Sequence, residues 1–267
     1  MAQELTGLPQ AILDSIDRLG IAIVACHDSI TDYATSLHDQ HPRNWPPGAT
    51  WDAVPGAYVP QLRKVVIATL PSPDGQRHVP VYGELQGSRS LVIHETMHGY
   101  DYGDDRKNSS SNPFLAARQA DFALLGSDYF QNAACGAEET YAESAAMHFG
   151  RDQTALNAWP HLSAFWANFG AVPFDKAARK IAPVLAAAPK KRRMPDTIGT
   201  AMIGNDGTIL LDLKAHGEKG EAGHARLIYR PGDAQYAQIR AHIQPAGRAL
   251  AMRPGGQAAI FPVRPFR

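Results

Sequence analysis

The sequence predicts an α+β fold, in which a small sheet and several helices are followed by a β-rich C-terminal segment. Apolar residues over 8–19 recur at helical spacing, and the β-branched run at 21–26 is typical of a buried strand. After Pro195 the pattern changes from helices to hairpins. We therefore expect one domain over residues 1–195 and a β-rich segment over residues 196–267.

Composition limits the classes of function that need to be considered. The chain has 267 residues, of which 44% are hydrophobic and 19% are charged, as in soluble globular proteins. Its 26 basic and 26 acidic side chains give a net charge of 0, so nothing indicates binding to nucleic acid or to an anionic membrane. We see no secretory signal and no membrane-spanning run. We expect a protein that is cytoplasmic or exported by a non-classical secretion system.

The two cysteines, Cys26 and Cys135, are too few for a disulfide-rich scaffold. We expect two buried thiols, and a single disulfide remains the alternative. Neither cysteine has the paired spacing of a zinc site.

The first half of the chain contains the predicted sheet. The helix over 8–19 ends at Gly20, and a strand over Ile21–Cys26 follows it. Tyr58–Val59 and Val65–Ala68 predict a β-hairpin, and Val79–Tyr82 predicts an edge strand, where proline is tolerated.

The middle of the chain is predicted to be helical. One helix begins after Ser88 and ends near Gly103. Further helices are predicted at Phe114–Leu125, Ala137–Phe149, Leu162–Phe169 and Ala177–Ala188. The last of these leads into the basic cluster Lys190–Arg193, which we interpret as a solvated helix end rather than a phosphate or nucleic-acid site.

The C-terminal segment is predicted to begin with a hairpin. Thr197–Ile203 and Thr208–Leu213 are its strands, with Asp206 and Gly207 in the turn. A third strand at His224–Tyr229 and a helix at Ala234–His242 are also predicted.

One motif indicates chemistry: His94-Glu95-Thr96-Met97-His98. On a helix, residues four apart lie on one face, so both imidazoles can bind one metal ion. Glu95 then lies beside the open coordination position and can take a proton from water activated by the metal. This combination predicts a zinc-dependent hydrolase, although iron or manganese remain alternatives.

A catalytic zinc ion needs a third protein ligand. Glu139 and Glu143 are four residues apart, so one can bind the metal while the other orients a ligating histidine. Their spacing does not decide which is the ligand. Asp101, three residues after His98, is a further option, either as a ligand, as a partner of a histidine, or as a structural residue at the helix end.

These motifs resemble the gluzincin metallopeptidases, and in particular the catalytic domain of anthrax lethal factor and the related Pro-Pro endopeptidases. The helix continues as His98-Gly99-Tyr100-Asp101, and Glu139-Thr140-Tyr141-Ala142-Glu143 resembles the second conserved helix of that family. Gly56–Pro60 with Val65–Ile67 resembles the hairpin whose edge strand binds substrate by β-augmentation. The resemblance covers roughly residues 50–150.

The resemblance implies a zincin-like fold, one Zn²⁺ per chain, Glu139 as the third ligand and Glu143 as the residue that orients a histidine. It also implies a tyrosine that stabilises the oxyanion a few residues before the third ligand. That position is not tyrosine here. The nearest is Tyr129, ten residues before Glu139, and His148 is an alternative donor.

We therefore expect a zinc peptidase that acts on a peptide or protein substrate, with Glu95 as its general base. Two alternatives remain open at this point: a zinc hydrolase that acts on cell-wall peptide, and a binding module that retains the fold without activity. A compact peptidase without a signal peptide would also suit a toxin delivered into rival cells, with an immunity or delivery partner.

Overall fold

A mixed seven-stranded sheet organises the molecule. The structure is a computed structural model that describes residues 1–103, 108–125, 128–131, 136–150, 153–169, 197–243 and 259–266. Its strands are β1 Ala22–Cys26, β2 Gly56–Val59, β3 Lys64–Ala68, β4 Leu70–Pro71, β5 Arg77–His78, β6 Gly199–Ile203, β7 Ile209–His216, β8 Ala222–Tyr229 and β9 Ala259–Val263. The large sheet has the order β1-β3-β2-β8-β7-β6-β9, and β4 pairs with β5 separately.

The C-terminal strands extend the N-terminal part of this sheet. β1 and β3 are parallel, whereas the other neighbouring strands of the large sheet are antiparallel. The connection is made by β2 and β8, where Ala57 lies opposite Gly223 and Tyr58 opposite Ala222. Strands from before and after residue 195 therefore belong to one sheet.

The described helices lie on both faces of the sheet, and the last of them packs on the face opposite the others. They are α1 Ala2–Leu5, α2 Gln10–Arg18, α3 Leu91–Gly103, α4 Asn112–Ala120, α5 Asp128–Gln131, α6 Gly136–Phe149, α7 Pro160–Ala167 and α8 Tyr236–Ile243. None of the helices in the described ranges is both long and apolar enough to cross a bilayer.

Two apolar cores lie on opposite faces of the sheet, because strand residues alternate between its two sides. Val65 and Ile67 of β3 belong to the core that also contains Leu91 and Met97 of α3. Val66 lies in the other core, with Leu213 from the C-terminal segment. β2 and β3 are thus buried on both faces, whereas β1 at the sheet edge is partly exposed.

α3 lies directly against the sheet because glycines face it. A Cβ atom at Gly99 would lie 3.1 Å from Cγ2 of Val65, and one at Gly103 would lie 2.6 Å from Cδ1 of Ile21. The predicted helix is present and reaches Gly103, the last residue described before residue 108.

Most of the predicted elements are confirmed, including the hairpin of β2 and β3 and the helix Ala137–Phe149, which is α6. The strand predicted at Ile21–Cys26 is present as β1, but it is not buried as expected, because it lies at the edge of the sheet. In the C-terminal segment the hairpin of β6 and β7 turns at Gly207, whose φ is +83°, and β8 follows as predicted. β9 is a strand that the sequence did not indicate.

The predicted edge strand at Val79–Tyr82 is wrong. The strand ends at His78, and the backbone N–H of Val81 donates to the Glu84 carboxylate rather than to a neighbouring strand. Pro80 has no N–H to give to a ladder, which favours a turn here.

The predicted helix Phe114–Leu125 is divided in two. α4 ends at Ala120, and a 3₁₀ turn follows at Phe122–Leu124. Asp121, at the break, accepts hydrogen bonds from the backbone N–H groups of His161 and Leu162. Its carboxylate thereby caps α7.

Some predictions concern residues that the structure does not describe. These are the helix Ala177–Ala188, the basic cluster Lys190–Arg193 and Cys135. Cys26 is described and is a half-buried thiol, and burial raises its pKa to about 11.

Candidate metal centre

His94 and His98 lie one turn apart on α3, buried beneath the sheet. Their Nε2 atoms face each other at 3.1 Å. Burial lowers the pKa of His98, which favours the neutral imidazole that a metal ligand requires. The two histidines are therefore placed so that they could share one metal ion.

Glu139 of α6 supplies the third group. Its Oε1 lies 3.3 Å from Nε2 of His98, and its Oε2 lies 3.5 Å from Nε2 of His94. One ligand atom from each of the three residues lies within 4.8 Å of the others. Atoms bound tetrahedrally to zinc at about 2.0–2.2 Å are roughly 3.3–3.6 Å apart, so the observed spacings fit one ion.

Glu143, one turn further along α6, fixes the orientation of His94. Its Oε2 lies 3.0 Å from Nδ1 of His94, and its Oε1 accepts a hydrogen bond from the backbone N–H of Arg89 at 3.0 Å. When Nδ1–H donates to this carboxylate, the Nε2 lone pair is directed at the site. Burial acts to lower the pKa of His94, but hydrogen bonds to Glu139 and Glu143 outweigh it and raise the pKa to about 10. A metal ion held by His94 would take the place of that Nε2 proton.

Glu95 is fully buried beside the three metal-binding groups. Neither of its carboxylate oxygens has a hydrogen-bond partner within the described part of the chain. Burial raises its pKa well above the usual range, although His94 opposes this shift. A carboxylate in such a place suits a proton acceptor that works close to a cation.

Lys214 of β7 is a residue of the C-terminal segment that contacts Glu139 directly. Its Nζ lies 2.7 Å from Oε1 of Glu139 and 3.4 Å from Oε2 of Glu138, and the side chain is only 1% exposed. Burial disfavours ionisation of Glu139, but Lys214 and His98 outweigh it and hold its pKa well below the usual range. Glu139 is therefore ready to bind a cation as a carboxylate.

His224 of β8 lies opposite Lys214 in the sheet. Its ring centroid is 5.3 Å from that of His94. Ligand atoms of His94, Glu95 and His224 lie within 4.8 Å of one another. The backbone N–H of Gly87 donates to its Nε2 at 3.2 Å. Burial, followed by the nearby His94, lowers the pKa of His224 to about 4.

A model of the family described as "Anthrax toxin lethal factor, N- and C-terminal domain" matches residues 1–158, more than half of the chain. The chain belongs to the anthrax lethal factor family. Lys214 and His224 lie outside the residues that match this family.

A solved relative supports the same fold. The structure of the Pro-Pro endopeptidase PPEP-2 from Paenibacillus alvei has a TM-score of 0.50 and is 24% identical, over 62% of this chain and 87% of that chain. This similarity supports a zincin-like fold for the present chain, which combines a sheet with helices. No curated protein sequence matches the chain.

Asp101 and His148 make contacts away from the cluster of His94, His98 and Glu139. Both oxygens of Asp101 accept hydrogen bonds from Ser109, so this side chain holds the segment that follows α3. His148 packs its ring against Phe149 at the end of α6. The backbone of Tyr129 lies in α5, but its side chain is outside the described residues.

The edge of β2 is not open in the way that the family resemblance implies. At Ala57 and Tyr58 this edge is already paired with β8. An extended substrate cannot add to β2 at these residues while β8 remains there.

Sequence analysis missed Lys214 and His224, although the pattern of β7 contained a signal. Apolar Leu211, Leu213 and Ala215 alternate with the polar residues Asp212 and Lys214, and the next polar position is His216. A strand that is apolar on one face, with several ionisable groups on the other, points to a buried polar site when the sheet is covered on both sides. That coverage was not visible in the sequence.

Proposed function

We propose that this protein is a zinc-dependent peptidase, with His94, His98 and Glu139 as metal ligands and Glu95 as the general base. The observation that carries the proposal is the approach of the three ligand atoms to within 4.8 Å, at spacings that suit a tetrahedral ion. Family membership and the zincin-like fold support it. Two histidines and one carboxylate form a usual catalytic zinc set.

The chain's own residues divide the work of peptide hydrolysis. When bound, zinc supplies Lewis acidity that polarises a carbonyl and makes water more acidic. Glu95 accepts a proton from the water whose oxygen attacks the carbonyl carbon. It then delivers this proton to the amide nitrogen as the C–N bond breaks. Glu143 keeps the His94 ring in place throughout.

The test combines metal content with turnover. Wild type, Glu95→Gln and Glu139→Ala proteins are purified side by side, supplied with zinc, freed of excess and assayed on a fluorogenic peptide library. We expect about one zinc per chain in wild type and Glu95→Gln, loss of zinc in Glu139→Ala, and cleavage by wild type alone. His148→Ala, on the same helix as Glu139, serves as the control that retains both properties.

Two outcomes would contradict the proposal. An active Glu95→Gln protein excludes this carboxylate as the base. Wild type that fails to retain zinc makes the histidine motif incidental.

The family description names a toxin, and we extend the proposal to a toxin that acts on proteins inside a target cell. An immunity or delivery partner belongs to this role. Wild type and Glu95→Ala proteins are produced in the cytoplasm and, separately, in the periplasm of a test bacterium. Growth arrest by wild type alone, in one compartment, is expected. Equal growth of all strains would argue against a toxin.

A further inference from the structure

We propose that His224 is a further catalytic residue, whose Nδ1–H donates a hydrogen bond to the scissile carbonyl oxygen as that oxygen becomes negatively charged. The inference rests on the proposed peptidase function and adds a residue from the C-terminal segment. It assigns a donor for the oxyanion in a chain that lacks tyrosine at the position expected from the family resemblance.

The hydrogen bond from Gly87 determines which nitrogen of His224 carries the proton. A backbone N–H can only donate, so Nε2, at 3.2 Å from the Gly87 nitrogen, must accept with its lone pair. In the neutral ring the proton then lies on Nδ1. A donor is thus available on the side of the ring away from Gly87.

This Nδ1 atom is buried and has no hydrogen-bond partner among the described residues. The whole residue is only 5% exposed. Leaving a buried donor unpaired is unfavourable, because the group has lost its hydrogen bonds to water, so an apolar side chain would fill this position better if packing were its only role. A substrate oxygen that accepts a hydrogen bond from Nδ1 of His224 would give this buried donor its missing partner.

His224 lies close enough to His94 and Glu95 to reach a substrate oxygen at the metal centre. Its ring lies 5.3 Å from the ring of His94, and its ligand atom is within 4.8 Å of those of His94 and Glu95. A carbonyl attacked by water next to Glu95 therefore lies within reach of this ring. The two oxygens of Glu95 are also buried and without hydrogen-bond partners in the described ranges.

The protonation state of His224 is the same before and after the catalytic step. Water oxygen forms a bond to the carbonyl carbon, and the carbonyl π electrons move to oxygen. His224 donates to this oxyanion and keeps its proton. Glu95 takes the proton of the attacking water and passes it to the leaving nitrogen as the carbonyl re-forms. Because the charge on oxygen is greatest in the transition state, the hydrogen bond favours turnover more than binding.

The first test reads the tautomer directly. Long-range ¹H–¹⁵N correlation spectra of ¹⁵N-histidine-labelled wild type show which ring nitrogen is protonated, and the signals lost in His224→Asn assign the residue. We expect the Nδ1–H form. An Nε2–H form would overturn the inference, whether or not the protein cleaves peptides.

The second test compares His224→Phe, which keeps a ring but has no donor, with His224→Asn, whose amide nitrogen can take the place of Nδ1. We expect kcat to fall about 100-fold in His224→Phe, with KM and the zinc content unchanged, because removing one oxyanion donor commonly has this effect. His224→Asn should recover about tenfold. His242→Phe, at a half-buried histidine of the same segment whose ring stacks on Phe266, should match the kcat of wild type.

Undiminished kcat in His224→Phe would overturn the inference. So would a rise in kcat, because it would mean that β8 only obstructs the centre. The proposed function is judged separately, from wild type against Glu95→Gln.

Discussion

Single side chains in the metal centre are arranged around the charge of Glu139. This buried carboxylate contacts Lys214 at 2.7 Å and both metal-binding histidines at 3.3–3.5 Å. A buried carboxylate is stable only when cations or donors surround it. In the absence of zinc, Lys214 performs that role from a different part of the chain. Zinc and the lysine thus stabilise the same group.

Replacing Lys214 by methionine should make stability depend more strongly on zinc. Removing one partner of a buried ion pair destabilises a protein by about 3–5 kcal/mol, and zinc should offset much of that loss by binding Glu139. We expect a lower Tm without zinc and a larger zinc-induced rise than in wild type, measured by thermal unfolding. The exposed Lys219→Met variant is the control. Equal zinc-induced shifts in Lys214→Met and wild type would contradict this account.

Removing the partner of His94 should weaken zinc binding without removing a ligand. Glu143→Ala is expected to bind zinc roughly 10–100-fold more weakly, because the His94 ring loses the group that orients it. Glu143→Gln keeps an acceptor of similar size and should lose less. Competition with a chromophoric chelator measures both. If Glu143→Ala holds zinc as tightly as wild type, the orienting role is wrong.

At the scale of elements, the contact between α3 and β2 positions the proposed base. A Cβ atom at Gly56 would lie 2.9 Å from Cδ1 of Leu91 and 3.0 Å from Cγ of Glu95. The strand therefore approaches the helix closely at the residue that carries the chemistry. Glycine permits this distance, and any larger residue must move either the strand or Glu95.

Gly56→Val should consequently lower turnover while zinc is retained. Overpacking costs about 1–3 kcal/mol, and the added side chain meets Leu91 and Glu95 rather than His94, His98 or Glu139. Turnover, zinc content and Tm are measured together, with Gly56→Ala as the milder variant of the same change. A Gly56→Val protein with wild-type turnover would show that Glu95 does not depend on this contact.

Helices and strands that follow from a local sequence pattern were predictable, whereas pairing between strands far apart in the chain was not. The helix around His94 and the hairpin of β2 and β3 follow from short-range periodicity and turn residues. Nothing local indicates that Gly223 pairs with Ala57, since this register depends on packing between segments far apart in the chain. The same limit hid Lys214 and His224, which enter the centre only through that pairing. By contrast, Glu139 and Glu143 were identifiable from their spacing and the family resemblance.

At the scale of the whole molecule, the C-terminal segment shares its second core with the N-terminal half. Leu213 of β7 and Val66 of β3 belong to one buried cluster, which also holds Trp45 and Trp51. A segment with half its core elsewhere gains little stability alone. We therefore expect residues on both sides of position 195 to unfold together.

Calorimetry of Leu213→Ala tests this expectation. Truncating a fully buried leucine costs about 2–5 kcal/mol, and a single transition should move to lower temperature as a unit. Leu62→Ala, at a leucine that is 41% exposed, should change Tm little. Two transitions, of which only one moves, would indicate independently folding parts.

The pairing of β8 with β2 also affects whether a peptide can bind to that edge of β2. Ala57 and Tyr58 offer one set of backbone hydrogen bonds on this side, and a strand of the same chain uses them. A tethered competitor acts at an effective concentration on the order of millimolar, which a dilute peptide does not match. We therefore expect β8 to keep this edge, so that a peptide reaching the centre binds through contacts other than the backbone groups of Ala57 and Tyr58.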